Sequence, residues 1–228
     1  MAVEMSIQEY IRKRPEKDSF QTAMFIYESA LIQMASRLEI LNNELNHVYS
    51  YNPIEYIRTR LKTPESITKK LRKNGHNISI DDMVEHVHDI AGLRITCSFY
   101  SEIYFLADMI ARQDNLKVVS IKDYISHPKE SGYKSYHMIL CIQVALADAV
   151  VPTNVELQIR TMAMDFWASL EHKIYYKYEG NAPDYFSREL KECASIISKL
   201  DGKMMSLNEA MKKIDGGCGL YEPDHLTD

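Results

Sequence analysis

The chain has 228 residues and a mass of 26.4 kDa, with 46% hydrophobic and 26% charged residues, a globular balance that excludes disordered, collagenous and disulfide-scaffold classes. A net charge of −5 and a pI near 5.9 exclude a chain that binds nucleic acid through its overall charge. No apolar run of about 18 residues occurs, the N-terminus has no signal-peptide core, and the four cysteines are scattered, so the expectation is a cytoplasmic protein with reduced thiols and no membrane association.

Residues 1–18 read as a short helix that stops before Pro15. Phe20, Met24, Tyr27, Leu31, Met34, Leu38, Leu41, Leu45 and Val48 then alternate spacings of four and three, which predicts one long helix with a heptad stripe, capped by Ser19 and ended by Asn52-Pro53. Such a stripe pairs either with the C-terminal helix of the same chain or with another copy. Asn52 and Pro53 read as the cap and first turn of a short helix; Thr63-Pro64 starts a second one, ending at Gly75. A brief helix over 81–88 leads into a buried strand, IAGLRITCSF, at 90–99. A helix over 101–113, a strand over 116–124, a loop over 126–132 and strands over 135–146 and 154–161 follow. Amphipathic helices over 164–177 and 184–213 complete the order, and GGCG at 216–219 opens a flexible tail. The fold class is α+β: a mixed, five-stranded-type sheet flanked by helices, with long N- and C-terminal helices.

The average charge hides an asymmetry. Residues 58–73 hold seven bases and one acid, a local charge of +6 suited to a polyanion. Within this run lie Arg60, Lys62, Ser66, Lys70 and Lys73; the last three recur at helical spacing, so one face offers a hydroxyl and two cations to phosphates without a P-loop, which the chain lacks. Asp89 stands at the mouth of the strand that carries Arg94, and Gly92 between them permits close approach. The stretch from Lys122 through Lys129, Tyr133, Lys134 and His137 mixes cations with aromatic faces, a composition for a base and its phosphates. On the 154–161 strand, Glu156, Gln158 and Arg160 share one face while Val155, Leu157 and Ile159 line the other. Two carboxylates from different strands, Asp89 and Glu156, are able to hold Mg²⁺ beside substrate phosphates. The residues alone therefore give a phosphate-handling site.

HDIAGLRI (88–95), GYKSYH (132–137), VELQIRT (155–161) and FWASLEHKIYYK (166–177), in this order and spacing, resemble the synthetase domain of the RelA/SpoT family. The likeness runs from about Asn52 to Lys177 and is nearest to the RelP-like small alarmone synthetases. It implies a domain division: an N-terminal helical and oligomerisation region at 1–51, a (p)ppGpp synthetase domain at 52–180, a C-terminal helix at 181–215 and a tail at 216–228. It also implies transfer of the β,γ-pyrophosphate of ATP to the 3′-hydroxyl of GTP or GDP. Carried over by position, Arg60 and Arg94 sandwich adenine, and Lys62, Ser66, Lys70 and Lys73 hold the ATP phosphates. Asp89 binds Mg²⁺; Glu156 binds the ion or takes the hydroxyl proton; Gln158 orients that hydroxyl. Tyr133 stacks on guanine, and Lys122, Lys129, Lys134 and His137 contact the acceptor's phosphates. Lys122 and Lys73 stand where relatives often have Arg. Asp165 stands where some have Asn near the guanine, which leaves the choice of GTP or GDP open. The resemblance further implies a homotetramer built through the terminal helices; some relatives bind an alarmone effector or RNA, and the sequence displays a site for neither. The rival readings are a nucleotidyltransferase, whose usual glycine-serine and paired-aspartate strand is missing, and a nucleotide- or RNA-binding module without catalysis.

Overall fold

The computed structural model describes residues 2–177 and 184–214. Strand β1 (Val3–Glu4) leads to helix α1 (Ile7–Arg12), which starts in a reciprocal capping box: Glu9 N donates to Ser6 Oγ at 3.1 Å and Ser6 N to Glu9 Oε2 at 2.8 Å. Helix α2 (Ser19–Tyr49) begins one residue earlier than predicted, because Asp18 rather than Ser19 is the cap and its Oδ1 accepts from Gln21 N at 2.7 Å. Strand β2 (Ile54–Leu61) stands where the Asn-Pro pair predicts a short helix. β-branched Ile54, Ile57 and Thr59 favour the extended form, and the full-length antiparallel pairing with the next strand decides it. Asn42 on α2 anchors the entry, exchanging side-chain hydrogen bonds of 3.3 Å with both backbone groups of Ile54.

Helix α3 (Pro64–Lys73) has Thr63 as cap and Pro64 in its first turn. Its end is a Schellman motif: Gly75, at φ +76°, donates to Arg72 O, and His76 N donates to Leu71 O at 3.0 Å. Helix α4 (Ile80–His86), strand β3 (Ala91–Cys97), helix α5 (Tyr100–Ala111), strand β4 (Leu116–Asp123), strand β5 (Tyr136–Ala145) and strand β6 (Ala149–Thr161) follow. Helices α6 (Met162–Lys177) and α7 (Asp184–Ile214) close the described chain. The predicted tail at 216–228 lies outside the described residues.

The sheet order is β2-β3-β6-β5-β4, with β3 and β6 parallel and the other pairs on this path antiparallel. β1 adds a sixth, two-residue strand: it pairs with β6 at Ala149 and Val150, beyond the 155–161 stretch that β3 occupies. A strand this short has no periodicity to read. The α2 stripe goes neither to the C-terminal helix nor to another copy. Tyr27, Leu31, Met34, Leu38, Leu41 and Leu45 are buried, and α2 lies across β2, β3, β5 and β6. Only the end of the predicted stripe is free, with Val48 57% exposed. The opposite sheet face stays polar, and it carries the site described below.

A second, small core joins α6 to α7 through Trp167, Ala168, Leu190 and Ala194, with Tyr133 against it. Trp167 Nε1 donates to Leu190 O at 3.0 Å. Its neighbour Phe166 is 61% exposed, because one residue turns a helical side chain by about 100° away from that seam. Gly132, at φ +89°, packs directly on α7: a Cβ there would lie 2.5 Å from Ala194 Cβ. Gly132→Ala therefore strains the backbone and pushes α7 off, and it is expected to cost about 1–3 kcal/mol of stability. Urea unfolding followed by Trp167 fluorescence measures that loss; an unchanged midpoint contradicts it.

Candidate active site

Strand register assembles the polar face. Arg58 pairs with Arg94, Arg94 with Gln158, Gln158 with His137 and His137 with Lys122. Cross-strand partners project to one side of a sheet, so these five side chains form a single row across five strands. The adjacent row runs Arg60, Gly92, Glu156, Ile139 and Ser120. Gly92 leaves the middle of that row empty, and a cleft of about 400 Å³ opens there, with Arg60, Lys62, Asp89, Arg94, Glu156 and Gln158 in its lining. A Cβ on Gly92 would meet Arg60 O only at ordinary contact, 3.5 Å, so the glycine serves the open space rather than backbone packing.

Asp89 sits in the turn before β3, where Lys62 Nζ donates to Oδ2 at 2.7 Å and Lys70 Nζ to Oδ1 at 2.8 Å. Burial alone would raise its carboxyl, but the two ammonium groups outweigh it and hold Asp89 below the ordinary range. Glu156 lies half-buried, with His137 Nδ1 3.3 Å from Oε1 and Gln158 Nε2 donating to Oε2 at 2.8 Å. Burial again works against ionisation, and His137 with Gln158 overcomes it, so this carboxyl too is depressed. A carboxyl depressed on folding binds fewer protons folded than unfolded. Both groups thus add stability that is complete above the unfolded carboxylate pKa and lost as pH falls through the folded value. Two ionised carboxylates in one cleft are hard oxygen donors that fit a divalent cation such as Mg²⁺; among the described residues no cluster of three or more such ligands occurs, so phosphates and water would complete the shell.

Helix α6 closes one side. Thr161 Oγ1 accepts from Met164 N at 3.1 Å at its start, and Asp165 in its first turn faces three arginines: Arg94 Nη1 at 3.0 Å, Arg160 Nη1 at 3.2 Å and Arg58 Nη1 at 3.9 Å. Asp165, expected near the guanine, is thus placed where it fixes Arg94. The loop after β4 is pinned by Asp123, whose Oδ1 accepts from Ile125 N and Ser126 N and whose Oδ2 accepts from Ser126 Oγ and Tyr104 OH. That loop brings Lys129 Nζ within 4.8 Å of the Tyr133 ring centre and 4.7 Å of the Tyr124 ring centre.

Of the sequence-derived candidates, Arg60, Lys62, Lys70, Asp89, Arg94, His137, Glu156 and Gln158 come together at the cleft, with Tyr133 and Lys129 beside His137 and Lys122 in its row. Ser66 is engaged in the α3 cap, where its Oγ accepts from Thr63 Oγ1 at 3.0 Å. Lys73 lies in the last turn of α3, beyond the cleft lining. Lys134 borders a small cavity against α7 with Trp167 and Ala194. Two arginines were missed as site residues. Arg58 shares a face with Arg60 only once 54–61 is an extended strand. Arg160 alternates with Glu156 and Gln158, a signal present in the sequence, but two of its partners, Tyr133 and Ser135, come from a loop far along the chain.

The family model described as "Region found in RelA / SpoT proteins" matches residues 59–181. The chain is 43% identical over 192 residues to GTP pyrophosphokinase YwaC of Bacillus subtilis, covering 84% of this chain and 91% of that protein. The structure is similar to small alarmone synthetase 2 from Bacillus subtilis, with a TM-score of 0.78 and 41% identity over 85% of this chain and 100% of that one. It is also similar to small alarmone synthetase 1 from Bacillus subtilis bound to its product pppGpp, with a TM-score of 0.79 and 31% identity over 85% and 98% of the two chains.

Proposed function

The chain belongs to the RelA/SpoT family, and from that membership we propose its reaction: it is a GTP pyrophosphokinase of the small alarmone synthetase type. It moves the β,γ-pyrophosphate of ATP to the ribose 3′-hydroxyl of GTP or GDP. The hydroxyl oxygen attacks the β phosphorus, the bond to the α–β bridging oxygen breaks, AMP leaves with that oxygen, and the hydroxyl proton goes to a base. The products are pppGpp or ppGpp. The observation that carries this reading is the pairing of Asp89 and Glu156 in one cleft flanked by Arg60, Lys62, Lys70 and Arg94. A binding module has no need of two ionised carboxylates beside phosphates.

Arg60 and Arg94 receive the adenine between them; the Asp165 ion pair keeps the Arg94 plane fixed for stacking. Lys62, Lys70, Ser66 and Lys73 hold the ATP phosphates. Tyr133 stacks on guanine, with Lys122, Lys129, Lys134 and His137 toward the acceptor's phosphates. Asp89 and Glu156 would hold Mg²⁺, which neutralises charge on the transferring phosphates when bound. Glu156 takes the proton of the 3′-hydroxyl. A depressed carboxyl is a weak base, but in a loose transition state the nucleophile's proton leaves late, so position matters more than basicity.

Anion-exchange separation after incubation with ATP, GTP and Mg²⁺ tests the reading: AMP and pppGpp appear in equal amounts, whereas ATP binding without conversion would favour the binding module. Tyr133→Ala raises the acceptor KM by the loss of about 1–3 kcal/mol of stacking. Steady-state kinetics at saturating ATP reads this, and an unchanged KM rejects the stacking role.

Assembly as a homotetramer belongs to the same reading. Ile196, Leu200, Met204, Leu207, Met211 and Ile214 make a stripe along α7 in which every side chain is more than half exposed. Stripes of this kind mark interaction surfaces. Leu200→Glu combined with Leu207→Glu should give a smaller particle by light scattering, and an unchanged mass would remove α7 from the interface. Among the described residues no helix is long and apolar enough to cross a membrane, and action in the cytoplasm, where both nucleotides are found, completes the proposal.

A further inference from the structure

Arg160 is buried on β6 two residues beyond Gln158, opposite Thr96 of β3, and the proposed reaction gives it no role. Its Nη2 donates to two acceptors, the Tyr133 hydroxyl and Gln158 Oε1, the latter at 2.8 Å. From each acceptor the path continues to Glu156, in one step from Gln158 and in two, through His137, from Tyr133. Gln158 Nε2 reaches Oε2 at 2.8 Å. Tyr133 OH lies 2.9 Å from His137 Nε2, and His137 Nδ1 lies 3.3 Å from Oε1. The two branches begin on one nitrogen and end on the two oxygens of one carboxylate.

We propose that Arg160 sets the direction of this closed ring, so that an N–H points at each oxygen of Glu156, and that Arg160 is thereby a positioning residue for pyrophosphate transfer. The proposal deepens the reading of Glu156 as the carboxylate beside the 3′-hydroxyl and rests on it. A guanidinium only donates. Gln158 must therefore turn its amide oxygen to Arg160, which leaves its NH₂ for Glu156. Tyr133 accepts from Arg160, and in the proposed ring it gives its single proton to His137 Nε2. A nitrogen that accepts carries no proton, which puts the proton of the neutral ring on Nδ1, facing Glu156. Arg160 is itself immobilised by Ser135 Oγ at 3.2 Å and Asp165 Oδ1 at 3.2 Å. With a residue there that both donates and accepts, either branch is free to reverse. A reversed histidine would turn a lone pair, not a proton, toward Glu156. The ring also changes the part of Gln158: its amide is engaged at both ends, so it acts on the hydroxyl through Glu156.

The test reads the histidine directly. In protein labelled with nitrogen-15 on histidine, free of metal and nucleotide, long-range proton–nitrogen NMR identifies the tautomer, with His137→Gln assigning the signal. Wild type is expected to show the Nδ1–H form. Tyr133→Phe keeps the stacking ring and removes the link, so it should bring in the Nε2–H form. It should also lower kcat roughly 10-fold or more, the usual effect of losing a group that orients a reacting ligand, with the acceptor KM unchanged. Arg160→Lys, one tetrahedral donor in place of a fork, should lower kcat as well, and the double variant should be no slower than the worse single one. An Nε2–H signal in wild type, or a wild-type kcat in Tyr133→Phe, overturns the proposal. The tautomer is read without substrate: pyrophosphate transfer together with an Nε2–H signal sinks the ring and leaves the reaction standing. An Nδ1–H signal in a protein that transfers nothing removes the positioning role along with the reaction.

Discussion

Glu156→Gln slows pyrophosphate transfer by orders of magnitude while ATP still binds. The amide has the shape of the carboxylate but accepts no proton and ligates a cation poorly, so both parts proposed for Glu156 fail together. The expected loss is about 10²–10⁴ in kcat, the range set by a positioned acid–base group. The cations around Asp89 are untouched, so ATP affinity stays within the same order, which equilibrium binding of a non-hydrolysable ATP analogue measures. Near-native turnover would remove Glu156 from the chemistry. The pH dependence follows from the same geometry. His137 and Gln158 keep the Glu156 carboxyl low against the pull of burial, so the base is already ionised at neutral pH. The acid limb of kcat should therefore lie below the ordinary carboxylate range, and a limb above it would contradict this environment.

Asp165→Ala should lower stability by about 3–5 kcal/mol, the cost of breaking a buried pair from one side. Among the described residues Asp165 is the one carboxylate that bridges Arg94 and Arg160, and Arg160 is buried. Without it the Arg94 and Arg160 guanidinium groups are left with no carboxylate between them. Arg58, 3.9 Å away and mostly exposed, contributes little to this sum. Asp165→Asn keeps an oxygen for one arginine and should lose less. Denaturant unfolding followed by Trp167 fluorescence compares the two. Against a typical total of about 5–15 kcal/mol the alanine variant would be close to unfolding, and a loss below about 1 kcal/mol would mean that solvent already screens the cluster.

The chemistry was easier to read from the sequence than its frame. Glu156 and Gln158 were legible because a strand alternates, and polar residues on one face of an otherwise apolar strand ask for a reason. Asp89 was legible from its place before a buried strand. The α2 stripe showed that one face is buried; its period cannot say by what, and the sheet proved to be the answer. Asn52-Pro53 gives the same local signal before a helix and before a strand, and only the pairing of β2 with β3, distant in sequence, separates them. Arg160 stood in plain alternation with Glu156. Its importance depends on Tyr133 and Ser135 folding back from another loop and on Asp165 at the start of α6, contacts that no local pattern encodes.

The most direct measurement follows the phosphorus. ATP radiolabelled at its β phosphorus is incubated with GTP, Mg²⁺ and the protein, and the nucleotides are resolved. Pyrophosphate transfer predicts that the label moves into the guanosine product, one labelled group for each AMP formed, and that Glu156→Gln leaves it in ATP. Label retained in ADP, or released as free pyrophosphate with AMP attached to another molecule, would contradict the reaction proposed for this cleft.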